Sequence, residues 1–154
     1  MLKLDEIDIK LLSLLQSDCK QTTAAYAKQL NLSTTAVYER IKRLERTGVI
    51  SQYVALVDKK KVNRSFTVLC HIKLSQHIKD YVLKFEQEIL RLVEVTECYH
   101  TSGDYDYILK IHVRDMEAYR EFMVTKLTAI ANIGSTQSSF VINEVKHTTA
   151  SRLK

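Results

Sequence analysis

Proline is absent from this chain of 154 residues, and glycine occurs only three times. Turns must therefore be made with few specialised residues, so each glycine is informative. No run of eighteen apolar residues occurs, which excludes a membrane-spanning helix. The opening stretch Met1-Leu2-Lys3-Leu4-Asp5-Glu6 lacks the apolar core of a secretory signal, so a cytoplasmic protein is expected. The three cysteines, Cys19, Cys70 and Cys98, are odd in number and show no CxxC spacing. That argues against a disulfide framework and for reduced thiols.

What is present is a globular composition, 45% hydrophobic and 27% charged. The net charge of +5 is unevenly placed: residues 1–64 carry 12 Lys+Arg against 7 Asp+Glu, whereas the remainder carries 11 of each. All five histidines lie in the second part. The asymmetry describes a basic module, 1–58, joined through a polar linker, 59–65, to a neutral module, 66–154.

The first module reads as three helices and a short strand. Asp5 is placed to cap a helix whose first turn carries Glu6 and Asp8 and whose apolar stripe is Leu4, Ile7, Leu11, Leu14 and Leu15. Thr22 or Thr23 starts a second helix with Ala24, Ala27 and Leu30 inward. Asn31-Leu32-Ser33 is a turn, and Ser33 caps a third helix running from Thr34 to about Thr47. Val37, Ile41 and Leu44 form its buried stripe, and Gly48 sits where a left-handed glycine would end it. Val49, Ile50, Tyr53, Ala55 and Val57 read as a strand. Opposite the buried stripe lie Thr35, Glu39, Lys42 and Arg46. A DNA-binding helix-turn-helix has this pattern, with N-terminal residues of its second helix near base edges and basic residues at phosphates. An ordinary helical hairpin with a solvated face is the alternative; the three-residue turn and the segregated charge favour DNA.

The second module reads βαββαβ. Phe66, Val68, Cys70, Ile72 and Leu74 alternate with Thr67, Leu69, His71 and Lys73 as a half-buried strand. Ile78, Val82, Phe85, Ile89 and Leu92 recur at helical spacing. Val93, Val95 and Tyr99 belong to a second strand, and Ser102-Gly103-Asp104 turns the chain. Tyr105, Tyr107, Leu109, Ile111 and Val113 share one face of a third strand. Met116, Tyr119, Met123, Leu127 and Ile130 mark a helix, and the last strand spans about 134–143. This pattern suits a four-stranded antiparallel sheet with two helices on one face. Leu69, Ile108, Phe140 and Ile142 are expected on the open face, which invites a second subunit.

These residues resemble the Lrp/AsnC family of bacterial and archaeal transcription regulators. Leu4-Asp5-Glu6-Ile7-Asp8 is similar to the family's opening, and Leu32 to Ile50 to its recognition helix and wing. Residues Ser102 to Lys110 and the closing Glu144-Val145-Lys146 resemble its amino-acid-sensing module. One departure is Ala131-Asn132-Ile133 where the family often has Pro-Gly-Val; Asn132 can take the left-handed conformation instead.

The resemblance implies an α+β chain: a winged-helix-like helix-turn-helix domain followed by a ferredoxin-like effector-binding and oligomerisation domain. It implies double-stranded DNA as partner, contacted by Ser33, Thr34, Thr35, Tyr38, Arg40, Lys42 and Arg43. It also implies a small effector, an amino acid, at Thr101, Gly103, Asp104, Asp106, Thr136 and Ser138, with assembly as a homodimer or octamer. Glycine lets the backbone approach a carboxylate closely, and Asp106 would face the ammonium. The alternative is a hairpin turn at Gly103-Asp104 with Asp106 paired to Lys110 or His112. An enzyme is not expected: Asp104, Asp106, His100 and His112 lie near one another, but no phosphate loop or nucleophile motif accompanies them. Cys98 and His100 are too few to ligate a metal, and no cofactor is implied. An oligomeric amino-acid sensor without a DNA role is the other reading.

Overall fold

The computed structural model describes residues 3–153. It separates into two compact units, one containing residues up to 56 together with the tail from 146 on, the other residues 57–145.

The first unit is a trihelical domain: α1 (Glu6–Ser17), α2 (Thr23–Leu30) and α3 (Thr34–Arg46). Each helix starts on a side-chain cap. Asp5 accepts from Asp8 N while Asp8 accepts from Asp5 N, a reciprocal capping box. Thr22 accepts from Ala25 N and Ser33 from Ala36 N. Leu11, Leu12, Tyr26, Ala27, Val37 and Leu44 form the core. Ala24, expected inward, is exposed, and Tyr26 takes the buried position, its hydroxyl donating to Asp18 O at 2.6 Å. Residues 49–57 form no strand. Ile50 N–H caps Leu44 O at 3.1 Å, and Val49, Tyr53, Val54, Leu56 and Val57 stay exposed with no neighbouring strand to pair with.

The tail packs differently from the boundary expected from the sequence. Gln16 exchanges two hydrogen bonds with the Ser151 backbone, at 3.1 and 2.6 Å, and Leu153 packs on the trihelical core. Residues from 146 on thus belong to the first unit, although the charged residues of the chain gave no sign of it.

The second unit contains β1 (Phe66–Leu74), α4 (Lys79–Ile89), β2 (Val95–His100), β3 (Tyr107–Val113), α5 (Met116–Phe122) continuing as a π-helical stretch (Met123–Leu127), and β4 (Ile133–Phe140). The sheet is antiparallel with order β2-β3-β1-β4. This is the ferredoxin-like arrangement. Val68, Cys70, Ile72 and Leu74 of β1 and Tyr107, Leu109, Ile111 and Val113 of β3 pack with Phe85, Ile89, Tyr119, Phe122 and Leu127 from the helices. The π-helical stretch explains a spacing that simple helical periodicity misses. Phe122 and Leu127, five residues apart, both point into the core, whereas Met116 is exposed. At the other helix, Ile78 is the exposed N-cap residue rather than a core position. Val93, read as strand, lies outside β2 and is exposed.

Two further expectations are corrected by register. Phe140 pairs with Val68 and so lies on the helix side, where its ring meets Phe66 and Tyr119, both at 5.7 Å. Ile142 lies past the end of β4 and is fully exposed. Residues 59–65 are no loose linker: Arg64 N donates to Lys59 O at 2.8 Å, Asn63 takes φ +55°, and Lys59 pairs with Glu144 at 3.0 Å.

With no proline and few glycines, asparagine makes the left-handed turns. Asn31, Asn63 and Asn132 have φ of +54°, +55° and +73°. Asn132 also clasps Gln76, its Oδ1 accepting from Gln76 N at 3.0 Å and its Nδ2 donating to Gln76 O at 2.8 Å. Asn132→Gly keeps the backbone conformation but loses the clasp, whereas Asn132→Ala loses both. Urea unfolding should show Asn132→Ala less stable by about 2 kcal/mol and Asn132→Gly by about 1 kcal/mol. Equal losses in the two variants would show that the left-handed backbone contributes nothing.

Candidate functional site

The first unit presents α3 through its capped N-terminus. Ser33, Thr34 and Thr35 are exposed there, and Tyr38 follows one turn later, also exposed. Lys42 lies over the Tyr38 ring at 5.7 Å and pairs with Glu45 at 2.9 Å, and Tyr53 reaches the same Glu45 at 3.1 Å. Arg46 is exposed and makes no ion pair among the described residues. The polar face read from the sequence is therefore in place for Thr34, Thr35, Tyr38 and Lys42.

Arg40 and Arg43 are engaged elsewhere. Asp8 is only 1% exposed, and Arg40 Nη1 reaches it at 2.7 Å and Asp5 at the same distance. Arg43 Nη2 meets both Asp8 oxygens, at 2.5 and 2.6 Å. A carboxylate taken from water requires such paired, hydrogen-bonded cations. Both arginines, expected at phosphates, are engaged by Asp8, a pairing that joins α1 to α3. The signal was present in the sequence: Asp8 falls within the apolar stripe of α1, between Leu4 and Leu11, and Arg40 lies near the buried side of α3.

In the second unit the loop 101–106 connects β2 to β3. Thr101 N donates to Asp106 O at 2.8 Å and Thr101 Oγ1 to Tyr105 O at 2.9 Å, which closes the loop. Gly103 adopts φ +123°, a conformation closed to other residues without strain. Asp104 is exposed, and the N–H groups of Ser102, Gly103 and Asp104 meet no acceptor among the described residues.

Asp106 is committed to the fold, and to neither of the partners considered for it. Its Oδ2 accepts from Leu74 N at 2.7 Å and its Oδ1 contacts His77 Nε2 at 2.8 Å. Lys110 pairs instead with Glu97, and His112 with the Thr67 hydroxyl. Burial by itself would raise the Asp106 carboxyl, but the Leu74 N–H and His77 outweigh it and hold it below the usual aspartate range.

Thr136 pairs across β1 with Ile72, whose other neighbour is Tyr107, so it lies at the same end of the sheet as the loop. Ser138 does not join them. It faces the helices, hydrogen-bonded to the Tyr119 hydroxyl at 2.5 Å. Burial pushes that hydroxyl's pKa up to about 12. The side chain that links the loop to β4 is Tyr105, which hydrogen-bonds Gln137 and packs on His71 at 5.3 Å. Tyr105 thus leaves the Tyr107 face, because the chain before Tyr107 is not yet strand. Near it, His100 stacks on Tyr107 at 4.5 Å and 17°. Among the described residues, no group of three or more His, Cys, Asp or Glu could hold a metal ion, and no helix is long and apolar enough to cross a membrane.

A helix-turn-helix unit and a ferredoxin-like sheet unit in one chain are the parts of a DNA-binding regulator with a ligand-binding domain. Residues 4–45 match the AsnC-type helix-turn-helix domain and residues 67–151 the Lrp/AsnC ligand binding domain. The latter match runs on into the tail that here packs in the first unit. The chain is 35% identical over 147 residues to the DNA-binding transcriptional activator DecR of Escherichia coli, covering 96% of this chain and 97% of that protein. It is 39% identical over 145 residues to the leucine-responsive regulatory protein of Haemophilus influenzae, covering 94% and 87%. A transcriptional regulator of Neisseria meningitidis solved as a complex with L-Met superposes with a TM-score of 0.91 at 32% identity, covering 96% and 95%. The chain belongs to the Lrp/AsnC family of transcriptional regulators, which are not enzymes.

Two outcomes are expected from these networks. Asp8→Ala strands two arginines and should cost about 3 kcal/mol in urea unfolding of the full chain, against less than about 0.5 kcal/mol for Arg46→Ala. Asp106→Asn should destabilise the chain at neutral pH. The folded-state pKa of Asp106 lies below its unfolded value, about 3.9, so its contribution is present above that pH and fades as pH falls through the folded value. The gap between wild type and Asp106→Asn should thus close in acid; a gap constant from pH 7 to pH 2 would refute the assignment.

Proposed function

We propose that the protein is a sequence-specific transcriptional regulator whose assembly or DNA binding responds to an amino acid. The observation that carries the DNA half is the capped, exposed start of α3, with Thr34, Thr35 and Tyr38 next to unburied cations. Thr34, Thr35 and Tyr38 read or abut bases, with Ser33 fixing the helix start. Lys42 and Arg46 supply phosphate contacts, since Arg40 and Arg43 are spent on Asp8. The Lys42–Glu45 pair is exposed and gives little resistance to exchange for a phosphate.

The effector half rests on the loop 101–106. Three unengaged N–H groups and a glycine at φ +123° suit a carboxylate, and the exposed Asp104 suits an ammonium. Asp106 shapes this loop from behind, through Leu74 and His77, and Thr136 lies at the same end of the sheet. That a neisserial neighbour was solved with L-Met supports an α-amino acid as the class of ligand. The open sheet face, with Leu69 and Ile108 half-buried and Tyr99 exposed, supports pairing with a second copy. A dimer would bring two α3 helices to half-sites a whole number of turns apart, roughly 34 Å per turn.

Lys42→Ala and Arg46→Ala should each weaken binding to all DNA sequences and lower the salt slope by about one, read by fluorescence anisotropy at several salt concentrations. An unchanged slope in both would remove them from the phosphate contacts. L-methionine or another amino acid at 100 times its Kd should stabilise the wild type by about 2.7 kcal/mol. Asp104→Ala should bind the same amino acid at least tenfold more weakly while binding DNA normally. No stabilisation by any of the twenty amino acids would overturn the effector reading and leave the DNA reading standing.

A further inference from the structure

The chain crosses between its two units twice. Residues up to 56 and from 146 on form one unit and residues 57–145 the other, so in sequence the sheet unit is an insertion in the trihelical one. Both crossings leave the sheet unit from one point. Lys59, just inside its start, donates from Nζ to both carboxylate oxygens of Glu144, just before its end, at 3.0 and 3.1 Å. Val141 N also bonds Thr67 O at 3.0 Å, which holds the chain one residue past β4. On the trihelical unit the two segments are fixed at separate places. The first is fixed to α3, where Ile50 N–H bonds Leu44 O at 3.1 Å. The second is fixed to the last turn of α1, where Gln16 Nε2 donates to Ser151 O at 3.1 Å and Gln16 Oε1 accepts from Ser151 N at 2.6 Å. A bond from Ala150 N to the Thr148 hydroxyl at 3.1 Å turns the chain just before that contact, and Leu153 packs on the trihelical core just after it.

The second attachment combines weakness with leverage. Its hydrogen bonds are exposed and Leu153 is only half-buried. Closing it orders a segment without helix or strand, between residues 135 positions apart in sequence. Contacts of that kind open at the low end of a protein's range of local stabilities. The leverage comes from its position. A unit held by one chain segment can swivel about it, whereas one held at α1 and at α3 is restricted far more. α3 carries the proposed DNA-reading face, so its freedom is what the second attachment removes.

We propose that residues 146–153 are a releasable strap: docked on α1 they tether the DNA-binding unit to the sheet unit at a second point, and released they leave it on one. A unit on a single tether must be ordered again when α3 enters a groove, and that loss of freedom opposes binding. Docking of the strap thus raises DNA affinity without adding a contact to DNA. Gln16 acts here as a positioning residue, through the Ser151 backbone. This role presupposes DNA binding through α3 and needs no ligand at the loop 101–106.

The test combines peptide-resolved hydrogen exchange with DNA binding, on the full chain. The variants are Gln16→Ala, Gln16→Glu, Leu153→Ser and, as a control in the same segment, Arg152→Ala. Gln16 and Arg152 are exposed, so their substitutions leave the helical core intact. Amides of 146–153 should exchange about tenfold more slowly in the wild type than in Gln16→Ala. Gln16→Glu should fall between, because it keeps the acceptor for Ser151 N and loses the donor to Ser151 O. The DNA is a duplex that the wild type selects from a random-sequence pool. Gln16→Ala and Leu153→Ser should each bind it about fivefold more weakly with the salt slope unchanged, and the double variant no more weakly than the weaker single one, since one strap is released only once. Arg152→Ala should match the wild type. Exchange of 146–153 at unstructured-chain rates in the wild type overturns the strap. So does protection that Gln16→Ala removes while DNA affinity stays unchanged, which makes the tail a structural element only. A wild type that selects no duplex overturns the DNA reading and the strap's role with it, whereas failure of the strap alone leaves the DNA reading standing.

Discussion

One buried carboxylate organises the DNA-binding unit. Asp8 sits inside the apolar stripe of α1, and the cost of burying it is offset only by Arg40 and Arg43 of α3 and by its own place in the capping box. Three short helices in a small unit bury little apolar surface, so an ion pair that fixes the direction of α3 against α1 has large leverage on its pose. The rest of the exposed chemistry follows from it. Two of the cations on α3 are removed from the surface inventory, and Lys42 and Arg46 remain on the polar side. A count of basic residues would rate the helix by its charge; the geometry rates it by which charges are left over.

The sheet unit shows the same economy with Asp106. The Asp106 carboxylate stands just before β3, where Leu74 N–H and His77 take both its oxygens. What this achieves is local: it ties the end of β1 to the start of β3 and holds the loop that carries Gly103. On the far side of β1, Asn132 does similar work by clasping Gln76 before β4 begins. The end of the sheet that carries the proposed amino-acid site is therefore stiffened by side chain to backbone bonds on both flanks, while the N–H groups of Ser102, Gly103 and Asp104 meet no acceptor among the described residues. A site whose scaffold is satisfied and whose donors are not is poised for a ligand.

The architecture was largely legible in the sequence because it rests on periodicity. Three helices with caps at Asp5, Thr22 and Ser33, and strands alternating around Cys70 and Leu109, follow from local pattern alone. What was not legible rests on long-range pairing. The tail from 146 on carries no apolar periodicity, yet Gln16 and the Ser151 backbone join across 135 residues. The residues after Gly48 alternate like a strand but find no strand to pair with. The π-helical stretch shifts the helical register by one, so Phe122 was invisible to a 3.6-residue template. Among the candidate site residues, the capped start of α3 is legible as local structure; the pairing of Arg40 and Arg43 with Asp8, and of Asp106 with Leu74 N and His77, is not, because contacts between distant segments leave no spacing to count. The hydrogen bond of Ser138 to Tyr119 is hidden for a related reason: it depends on the register of β4 against Cys70.

The two ends of the sheet make contrasting demands on the strands between them. β2 and β3 run from Glu94 and Val113 at one end to Thr101 and Asp106 at the other, and they are the edge pair. An edge strand has one hydrogen-bonded neighbour, and β2 further carries an irregularity between Val95 and Glu97. Like β4 at the opposite edge, it is held less tightly than the two central strands. Any ligand that orders the loop after His100 also orders the end of β2. His100, stacked on Tyr107, whose hydroxyl donates to Glu86 of α4 at 2.8 Å, carries that ordering into the helix layer. The physical route by which a small molecule could bias this unit is accordingly the stiffness of one edge strand, with no large rearrangement required of the core beneath it.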